Sequence, residues 1–294
     1  ANIKMAVSSI IMSKTFDNGM ICASEQSVVV EDAVYDEVKQ EFIARGCHFV
    51  TGKDRKKLAE TIVVNGKLNS AIVGQSAEKI AQMAGIKVPA GTKILIAEAS
   101  AVNDEEVFAR EKLSPVLGFY RAKDFKHAVD LARDLILYGG AGHTSVLYTD
   151  EANEEHIDMF KDMPTARTLI NIPSSQGAIG DVYNFKLAPS LTLGCGSWGG
   201  NSVSENIGVK HLMNVKSVAE RRENMYWYKV PSKIYFKRGA LSQAMAELKD
   251  KQRAYIITDK TMEQLGHVRA VADVLESQNI KFRVFSNVLP DPNI

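Results

Sequence analysis

The chain has 294 residues, of which 45% are hydrophobic and 24% charged, and this is enough apolar material for one large domain or two smaller ones. Such a composition excludes a disordered, collagen-like or coiled-coil chain. The 36 Lys and Arg residues balance the 35 Asp and Glu residues, so no net charge favours nucleic acid or an anionic membrane as a partner.

Targeting signals and cysteine content indicate the cellular compartment of the protein and the state of its thiols. No apolar run is long enough for a membrane-spanning helix, and residues 1–12 lack the pattern of a signal peptide, so we expect a cytoplasmic protein. The three widely spaced cysteines predict free thiols rather than a disulfide framework or a zinc site. Because the chain starts at Ala1 inside a helical pattern and stops just after a predicted strand, we expect it to be part of a longer protein.

Apolar residues recur alternately with helical and strand periods, which predicts an α/β fold with a parallel sheet covered by helices. Helices are predicted over residues 3–11, 34–43 and 125–136, and strands over 27–30, 93–97, 144–148 and 168–172. The run of small residues at 139–142 ends the third helix and leaves room for a close backbone approach.

The style of the sequence changes in its last third. Glycines cluster at 193–201, which predicts a long loop or backbone that faces a ligand. Two alternating runs, 225–230 and 234–237, predict a β-hairpin around Pro231. A second α/β unit follows, with strands predicted over 254–258 and 281–285 and a helix over 262–277, and its two strands are too few to complete a sheet.

Cys22 is the cysteine whose position suits chemistry. It lies on a loop between the first helix and the first strand, where nucleophiles are common, although a structural cysteine fits the position equally well. Cys47, at the start of a strand, is interpreted as a small buried apolar residue. Cys195 lies between glycines, where it either packs near a ligand or reacts.

The residues around Cys22, FDNGMICASE at 16–25, resemble the active-site cysteine motif of the aldehyde dehydrogenase superfamily. EKLSPV at 111–116 resembles the downstream glutamate motif of that family, and 183–201 resembles its C-terminal glycine-rich loop. The variants CASEQ at 22–26, GHTS at 142–145 and LGCGSWGGNS at 193–202 resemble the CoA-acylating branch and, more narrowly, the bifunctional aldehyde-alcohol dehydrogenases. The stretches 231–239 and 255–260 resemble the opening of an iron-dependent alcohol dehydrogenase, which is the second half of those enzymes.

The resemblance implies a domain plan and a reaction. Residues 1–213 correspond to an aldehyde dehydrogenase catalytic domain without its N-terminal NAD-binding half, 214–224 to a linker, and 225–294 to the start of an iron-dependent alcohol dehydrogenase domain. The implied reaction is NADH-dependent reduction of acetyl-CoA to acetaldehyde through a cysteine thiohemiacetal or acyl-thioester, with later reduction of acetaldehyde to ethanol. NAD is the implied cofactor and CoA a substrate, while Fe²⁺ is expected only in the alcohol dehydrogenase portion beyond Ile294. Self-association into helical filaments is also implied, and the predicted hairpin offers an edge for it.

The resemblance also implies roles for single residues in the aldehyde dehydrogenase part. Cys22 is the nucleophile, and its own backbone N–H helps to stabilise the oxyanion. Glu111 matches the glutamate that holds the nicotinamide ribose hydroxyls, against the alternative of an exposed charge at a helix end. His143 matches a histidine that assists CoA binding or deprotonation, against a structural histidine. Leu193 matches an apolar contact to the cofactor, or else is a packing leucine.

In the tail, Asp259 and Asp291 match positions that contact NAD in the alcohol dehydrogenase half. Asp259 has the alternative role of capping the next helix. The six histidines form no cluster with the spacing of metal ligands, so no metal site is expected in this chain.

Two other interpretations stay open. One is a hydrolytic aldehyde dehydrogenase that makes a free acid, against which only the CoA-type motif variants argue. The other is a non-catalytic fragment for filament assembly. Because the NAD-binding half and the asparagine that completes the oxyanion site would precede Ala1, we expect negligible acetyl-CoA reduction by the isolated 294-residue chain.

Overall fold

The structure is a computed structural model that describes residues 1–180, 186–220 and 228–289. The chain divides into two compact units, Ala1–Lys216 and Ser217–Ile294. The helices of the first unit are α1 (Ile3–Thr15), α2 (Tyr35–Ala44), α3 (Gly52–Ile62), α4 (Ala77–Met83), α5 (Phe125–Gly139), α6 (Glu154–Phe160) and α7 (Ser174–Ala178). Its strands are β1 (Ser27–Glu31), β2 (Cys47–Val50), β3 (Val63–Val64), β4 (Lys67–Leu68), β5 (Ile94–Ala99), β6 (Val116–Ala122), β7 (Gly142–Leu147) and β8 (Thr165–Ile170).

A four-stranded parallel sheet in the order β1-β6-β5-β2 is the centre of the first unit. Successive side chains of a strand point to opposite faces, so Ile94 and Ile96 join the apolar cluster formed with α1 and α2, while Leu95 and Ala97 join the cluster formed with α3 and α4. Because helices cover both faces, the central strand is apolar at consecutive positions rather than at alternate ones. The predicted parallel sheet covered by helices is therefore confirmed.

β7 and β8 form a separate two-stranded parallel sheet, against which α5 and α6 pack. Both strands begin two or three residues earlier than the predicted 144–148 and 168–172. The reason is a hydrogen bond of 2.8 Å from the Gly142 amide to the Pro164 carbonyl, which starts the pairing as soon as the turn after α5 is complete. Among the helices in the described ranges, none is both long and apolar enough to cross a bilayer.

The second unit contains one parallel strand pair, β9 (Arg253–Ile257) and β10 (Lys281–Phe285), with helices α8 (Leu241–Met245), α9 (Lys260–Gln264) and α10 (His267–Ser277). The single helix predicted over 262–277 is divided at Gly266, whose φ of 80° lies in the left-handed region and interrupts the helical path. The two-stranded sheet leaves Tyr255 and Ile257 60% and 66% exposed. The prediction that two strands are too few to complete a sheet is confirmed.

The β-hairpin predicted over 225–230 and 234–237 is wrong for the part that the structure describes. Residues 228–237 contain no strand, and 225–227 lie outside the described residues. Ile234 and Phe236 are 65% and 97% exposed. Because these apolar side chains do not pack against a core, the alternating pattern does not stabilise a strand here. Filament assembly stays a prediction that has no edge strand at 228–237 to support it.

Candidate active site

One cavity of the first unit is lined by three of the predicted site residues, Cys22, Glu111 and His143. Its volume is about 490 Å³, and residues of β1 and β7, both edge strands, lie along its walls. Up to 121 positions separate these side chains in the sequence. The fold thus brings together a thiol, a carboxylate and an imidazole that the sequence keeps far apart.

Cys22 lies on a loop whose shape is set by the turn that ends α1. Asp17 and Asn18 both have a φ of 48°, and Gly19 continues the left-handed path with a φ of 69°. A Cβ on Gly19 would lie 2.7 Å from the carbonyl group of Ser114, so a glycine is required there on steric grounds as well. After this reversal the Cys22 side chain is exposed.

The other cysteines differ from Cys22 in burial. Cys47 is 5% exposed and belongs to the apolar core, which agrees with its interpretation as a buried apolar residue. Cys195 is partly buried. All three thiols are free, as predicted. Cys22 is therefore the cysteine that a large substrate reaches most easily.

A network of buried polar groups holds the Cys22 loop against the Glu111 loop. Lys14 Nζ donates to Ser24 Oγ at 3.3 Å, and Ser24 Oγ donates to the Gly19 carbonyl at 3.2 Å. Gln26 spans both loops, because its amide nitrogen donates to the Ser24 carbonyl at 3.3 Å and its amide oxygen accepts from the Lys112 backbone N–H at 3.0 Å. Hydrogen bonds therefore tie the loop that carries Cys22 to the loop that carries Glu111.

Lys14, on α1, and Glu25, on the Cys22 loop, are titratable groups that influence each other's pKa. Lys14 is 0% exposed, and burial lowers its pKa to about 7 although the charges of Glu25 and Glu111 act to raise it. Burial likewise raises the pKa of Glu25 to about 7 against the lowering effect of its hydrogen bonds and of Lys14. Glu25 lines the cavity and accepts a bond of 3.2 Å from the Ser174 amide, while its Oε2 is buried without a partner.

Replacing Lys14 by methionine is expected to remove the contribution of Lys14 to the increase in the free energy of unfolding above pH 7. Between pH 7 and about 10.4 the unfolded chain holds a proton on Lys14 that the folded chain lacks, so the free energy of unfolding rises with pH, by up to about 1.4 kcal/mol per unit for one proton. The raised pKa of Glu25 acts below pH 7 and in the opposite sense, so the two windows are separate. Urea unfolding followed by circular dichroism at pH 7, 8 and 9 measures the difference.

The matched control is Lys4→Met, which changes an exposed lysine on the same helix. We expect its stability to follow the wild type at each pH. Parallel pH dependences for Lys14→Met and the wild type would contradict a low pKa at Lys14.

The electrostatics at Cys22 favour the protonated thiol at rest. Burial raises the pKa of the thiol, and the negative charges of Glu111 and Cys195 raise it further. The backbone N–H groups of Cys22 and Ala23 point at the sulfur and act to lower its pKa. A reaction through the Cys22 thiolate would therefore need a proton acceptor in the cavity.

His143 has the properties of such an acceptor. Burial lowers the pKa of its imidazole, and the positive charge of Arg167 lowers it further, so the neutral form prevails near pH 7. Its Nδ1 lies 2.9 Å from Thr144 Oγ1, a contact that fixes the orientation of the ring. His143 lines the cavity together with Cys22.

The remaining predicted site residues lie elsewhere. Leu193 is absent from the cavity wall and pairs through an isolated β-bridge with Asn206. Asp259, in the second unit, is the N-cap of α9, where it accepts a hydrogen bond of 2.9 Å from the Met262 amide, so its alternative role as a helix cap is realised. Asp291 lies outside the described residues. Within the described ranges, no three His, Cys, Asp or Glu side chains are placed to hold a metal ion.

Several residues of the site escaped the sequence analysis. They are polar side chains that contribute through their burial or through the hydrogen bonds they form, namely Lys14, Gln26, Lys112 and Arg167. Gln26 and Lys112 stand inside the motifs CASEQ and EKLSPV, so the motifs held a signal for them. Lys14 and Arg167 gave none, because a lysine near a helix end and an arginine in a strand are both ordinary on a surface.

Known proteins resemble this chain over its whole length. Bifunctional aldehyde-alcohol dehydrogenase AdhE of Escherichia coli K12 is 55% identical over 298 aligned residues, which cover 100% of this chain and 33% of that protein. The aldehyde-alcohol dehydrogenase of Clostridium acetobutylicum is 55% identical over 98% of this chain and 34% of its own length. The chain belongs to the aldehyde-alcohol dehydrogenase family. It spans about a third of the length of these curated relatives.

Two further comparisons show which part of the chain resembles which kind of enzyme. An acetylating aldehyde dehydrogenase from Geobacillus thermoglucosidasius has a similar structure, with a TM-score of 0.72 and 42% identity over 78% of this chain and 50% of that one. The family model for iron-containing alcohol dehydrogenase matches residues 231–294. The α/β fold of an acetylating aldehyde dehydrogenase, followed by a segment of an iron-containing alcohol dehydrogenase, is thereby established for this member of the aldehyde-alcohol dehydrogenase family.

Proposed function

We propose that the first unit carries the acyl-transfer half of a CoA-acylating acetaldehyde dehydrogenase, which reduces acetyl-CoA to acetaldehyde with NADH. The observation that carries the proposal is the single cavity lined by Cys22, Glu111 and His143. We also propose that the domains follow 1–213 and 225–294 around a linker at 214–224, and that the second domain belongs to the enzyme half that reduces acetaldehyde to ethanol.

Cys22 acts as the nucleophile in this proposal. Its thiolate attacks the thioester carbonyl of acetyl-CoA, forms a new C–S bond and releases CoA thiolate, which takes up a proton. The exposed thiol at the mouth of the loop and the backbone N–H groups of Cys22 and Ala23 near the sulfur support this role. The same amides suit the charge that develops on the carbonyl oxygen, since fixed backbone donors stabilise oxyanions.

Glu111 is suited to hold the cofactor. Its carboxylate is exposed on the cavity wall, and among the described residues no side chain or amide forms a hydrogen bond or an ion pair with it. Both oxygens are therefore available to accept hydrogen bonds from ribose hydroxyls. A nicotinamide cofactor bound there supplies the hydride that reduces the acyl group, and we propose NAD for this position.

His143 acts on protons in the step that involves CoA. A neutral imidazole accepts a proton from the Cys22 thiol before acylation and, in the reverse direction, from CoA before it attacks the acyl-enzyme. The lowered pKa of His143 and its position on the same cavity support this role. The imidazole then returns the proton to the departing sulfur, so that no net proton stays on the residue.

The proposal is tested by trapping the acyl-enzyme in the intact enzyme that contains this chain. Incubation with isotope-labelled acetyl-CoA in the absence of NADH, followed by peptide mass spectrometry, is expected to find acetyl on Cys22 and none on Cys47. Added CoA is expected to remove the label as acetyl-CoA. Loss of the label to water at an equal rate without CoA would favour a hydrolytic aldehyde dehydrogenase, and no label on Cys22 would contradict the proposal.

A further inference from the structure

Arg167 is a buried arginine that the proposed chemistry leaves unexplained. It lies on β8, is 3% exposed, and no carboxylate of the described residues forms an ion pair with it. Nε donates to Asn206 Oδ1 at 2.8 Å and Nη1 donates to the Gly194 carbonyl at 2.9 Å, whereas the buried Nη2 has no partner. A buried charge without a counter-ion costs several kcal/mol, so its retention calls for a compensating role.

The two hydrogen bonds of Arg167 attach the glycine-rich loop to the sheet. Asn206 is itself 3% exposed, and its amide nitrogen donates to the carbonyls of Ala178 and Ala188 at 2.9 and 2.8 Å. Gly194 and Asn206 stand at the two ends of the loop that packs on Gly142 of β7. Arg167 thus holds the loop that covers the residue next to His143.

The position of Arg167 also brings its charge to the imidazole. In the register of β7 and β8, Arg167 is paired with Thr144, the neighbour of His143 and the partner of its ring. Titratable groups that line the cavity together with His143 include Cys22, Glu25, Glu111 and His156. The charge of Arg167 lowers the pKa of His143. Burial lowers the pKa of Arg167 itself, and negative charge on Cys195 or Cys22 opposes that effect.

We propose that Arg167 is a positioning residue of this site, which fixes the glycine-rich loop against β7 and places a positive charge near His143 that adds to the effect of burial in favouring the neutral, proton-accepting imidazole. The proposal rests on the proposed function of His143 as a proton acceptor. The same charge favours a thiolate at Cys22 over the thiol, because opposite charges attract in a partly buried site. No carboxylate balances Arg167 among the described residues, and its charge is therefore available to these groups.

The test measures the protonation of His143 directly in the intact enzyme. Diethylpyrocarbonate reacts with neutral imidazole, so the pH dependence of His143 carbethoxylation, read by peptide mass spectrometry, gives the midpoint of its titration. Arg167→Gln removes the charge and keeps an amide that can donate to the Gly194 carbonyl. We expect its midpoint to move up by about one pH unit, which is about a tenfold slower reaction at a pH below both midpoints. The acid limb of the pH profile for transfer of the acetyl group to CoA is expected to move by the same amount.

Two further variants separate charge from anchoring. Asn206→Ala breaks the anchor and keeps the charge, so we expect slower acetyl transfer with an unchanged His143 midpoint. Arg133→Gln, at a partly exposed position of α5, is the matched control and is expected to leave both the rate and the midpoint unchanged. A wild-type midpoint in folded Arg167→Gln overturns the proposal.

Arg167→Lys decides the matter if Arg167→Gln does not fold. Its ammonium keeps the charge but cannot span Asn206 and Gly194 together, so a midpoint near that of the wild type supports the proposal, and a midpoint raised to that of an ordinary histidine overturns it. Failure of the proposed function gives a different result, namely no carbethoxylation of His143 in the wild type or no acetyl on Cys22.

Discussion

Replacing Cys22 by serine is expected to lower acetyl-CoA reduction by the intact enzyme at least about 10³-fold. A hydroxyl of the same size has a far higher pKa than a thiol and attacks a thioester poorly, so the acyl-enzyme does not form at a useful rate. The variant is expected to keep its fold, because Cys22 is exposed and its side chain carries little packing. The measurement is NADH oxidation with acetyl-CoA, compared with NADH oxidation with acetaldehyde.

The alcohol dehydrogenase reaction is an internal control for this variant, since acetaldehyde reduction does not use Cys22 in the proposed scheme. Cys47→Ala is the matched cysteine control. It removes a buried thiol, which is expected to cost about 1 kcal/mol of stability and to leave the acetyl-CoA reaction within a factor of about three. Acetyl-CoA reduction by Cys22→Ser at more than a tenth of the wild-type rate would contradict the assignment of Cys22 as the nucleophile.

Replacing Gly142 by alanine is expected to destabilise the first unit by more than about 3 kcal/mol and to displace the glycine-rich loop. Gly142 has a φ of 81°, which an L-residue rarely adopts. An added Cβ would overlap the Cys195 carbonyl oxygen and would lie 2.6 Å from the Gly199 amide nitrogen, both of which are backbone atoms that cannot rotate away. Urea unfolding and the acetyl-CoA reaction measure the two effects.

Gly140→Ala is the matched control, two residues earlier in the same turn. Gly140 has a φ of −157°, outside the left-handed region, and the nearest atom to an added Cβ is the Ile136 carbonyl oxygen at 4.0 Å. We expect this variant to unfold within about 1 kcal/mol of the wild type and to stay active. Equal stabilities for the two alanine variants would show that the loop does not pack on Gly142 in this way.

The order and type of the main elements followed from the sequence, because apolar spacing reports burial directly. The strand predicted over 281–285 is β10 without a shift, and the stripe from Phe125 to Ile136 is α5. The pattern was misleading at Ile234 and Phe236, whose side chains are exposed. Alternation of apolar residues stabilises strand pairing only when one face of the strand is buried. It also missed the break at Gly266, because apolar spacing continues across the turn from α9 into α10.

The candidate site was predictable in its parts. The motif around Cys22 and the motif at 111–116 pointed to a thiol and a carboxylate, and the glycines at 139–142 indicated a close backbone approach. The identity of the approaching segment was not in the sequence, because Gly142 meets Cys195 and Gly199 more than fifty residues later. Asp259 shows the converse, since the local helix-cap role, which depends on residues three positions apart, was readable from the sequence.

The sequence by itself determined the class of chemistry and the family, since the cysteine and glutamate motifs are local and depend on residue type. Only the tertiary structure decided which groups share a cavity and which proton each one holds. Lys14, Glu25 and Arg167 are ordinary surface residues in the sequence. The shifted pKa values of Lys14 and Glu25 and the unpaired charge of Arg167 follow from burial, which elements far apart in the chain produce by packing. A pKa depends on the dielectric surroundings and on nearby charges, and both are properties of the folded chain.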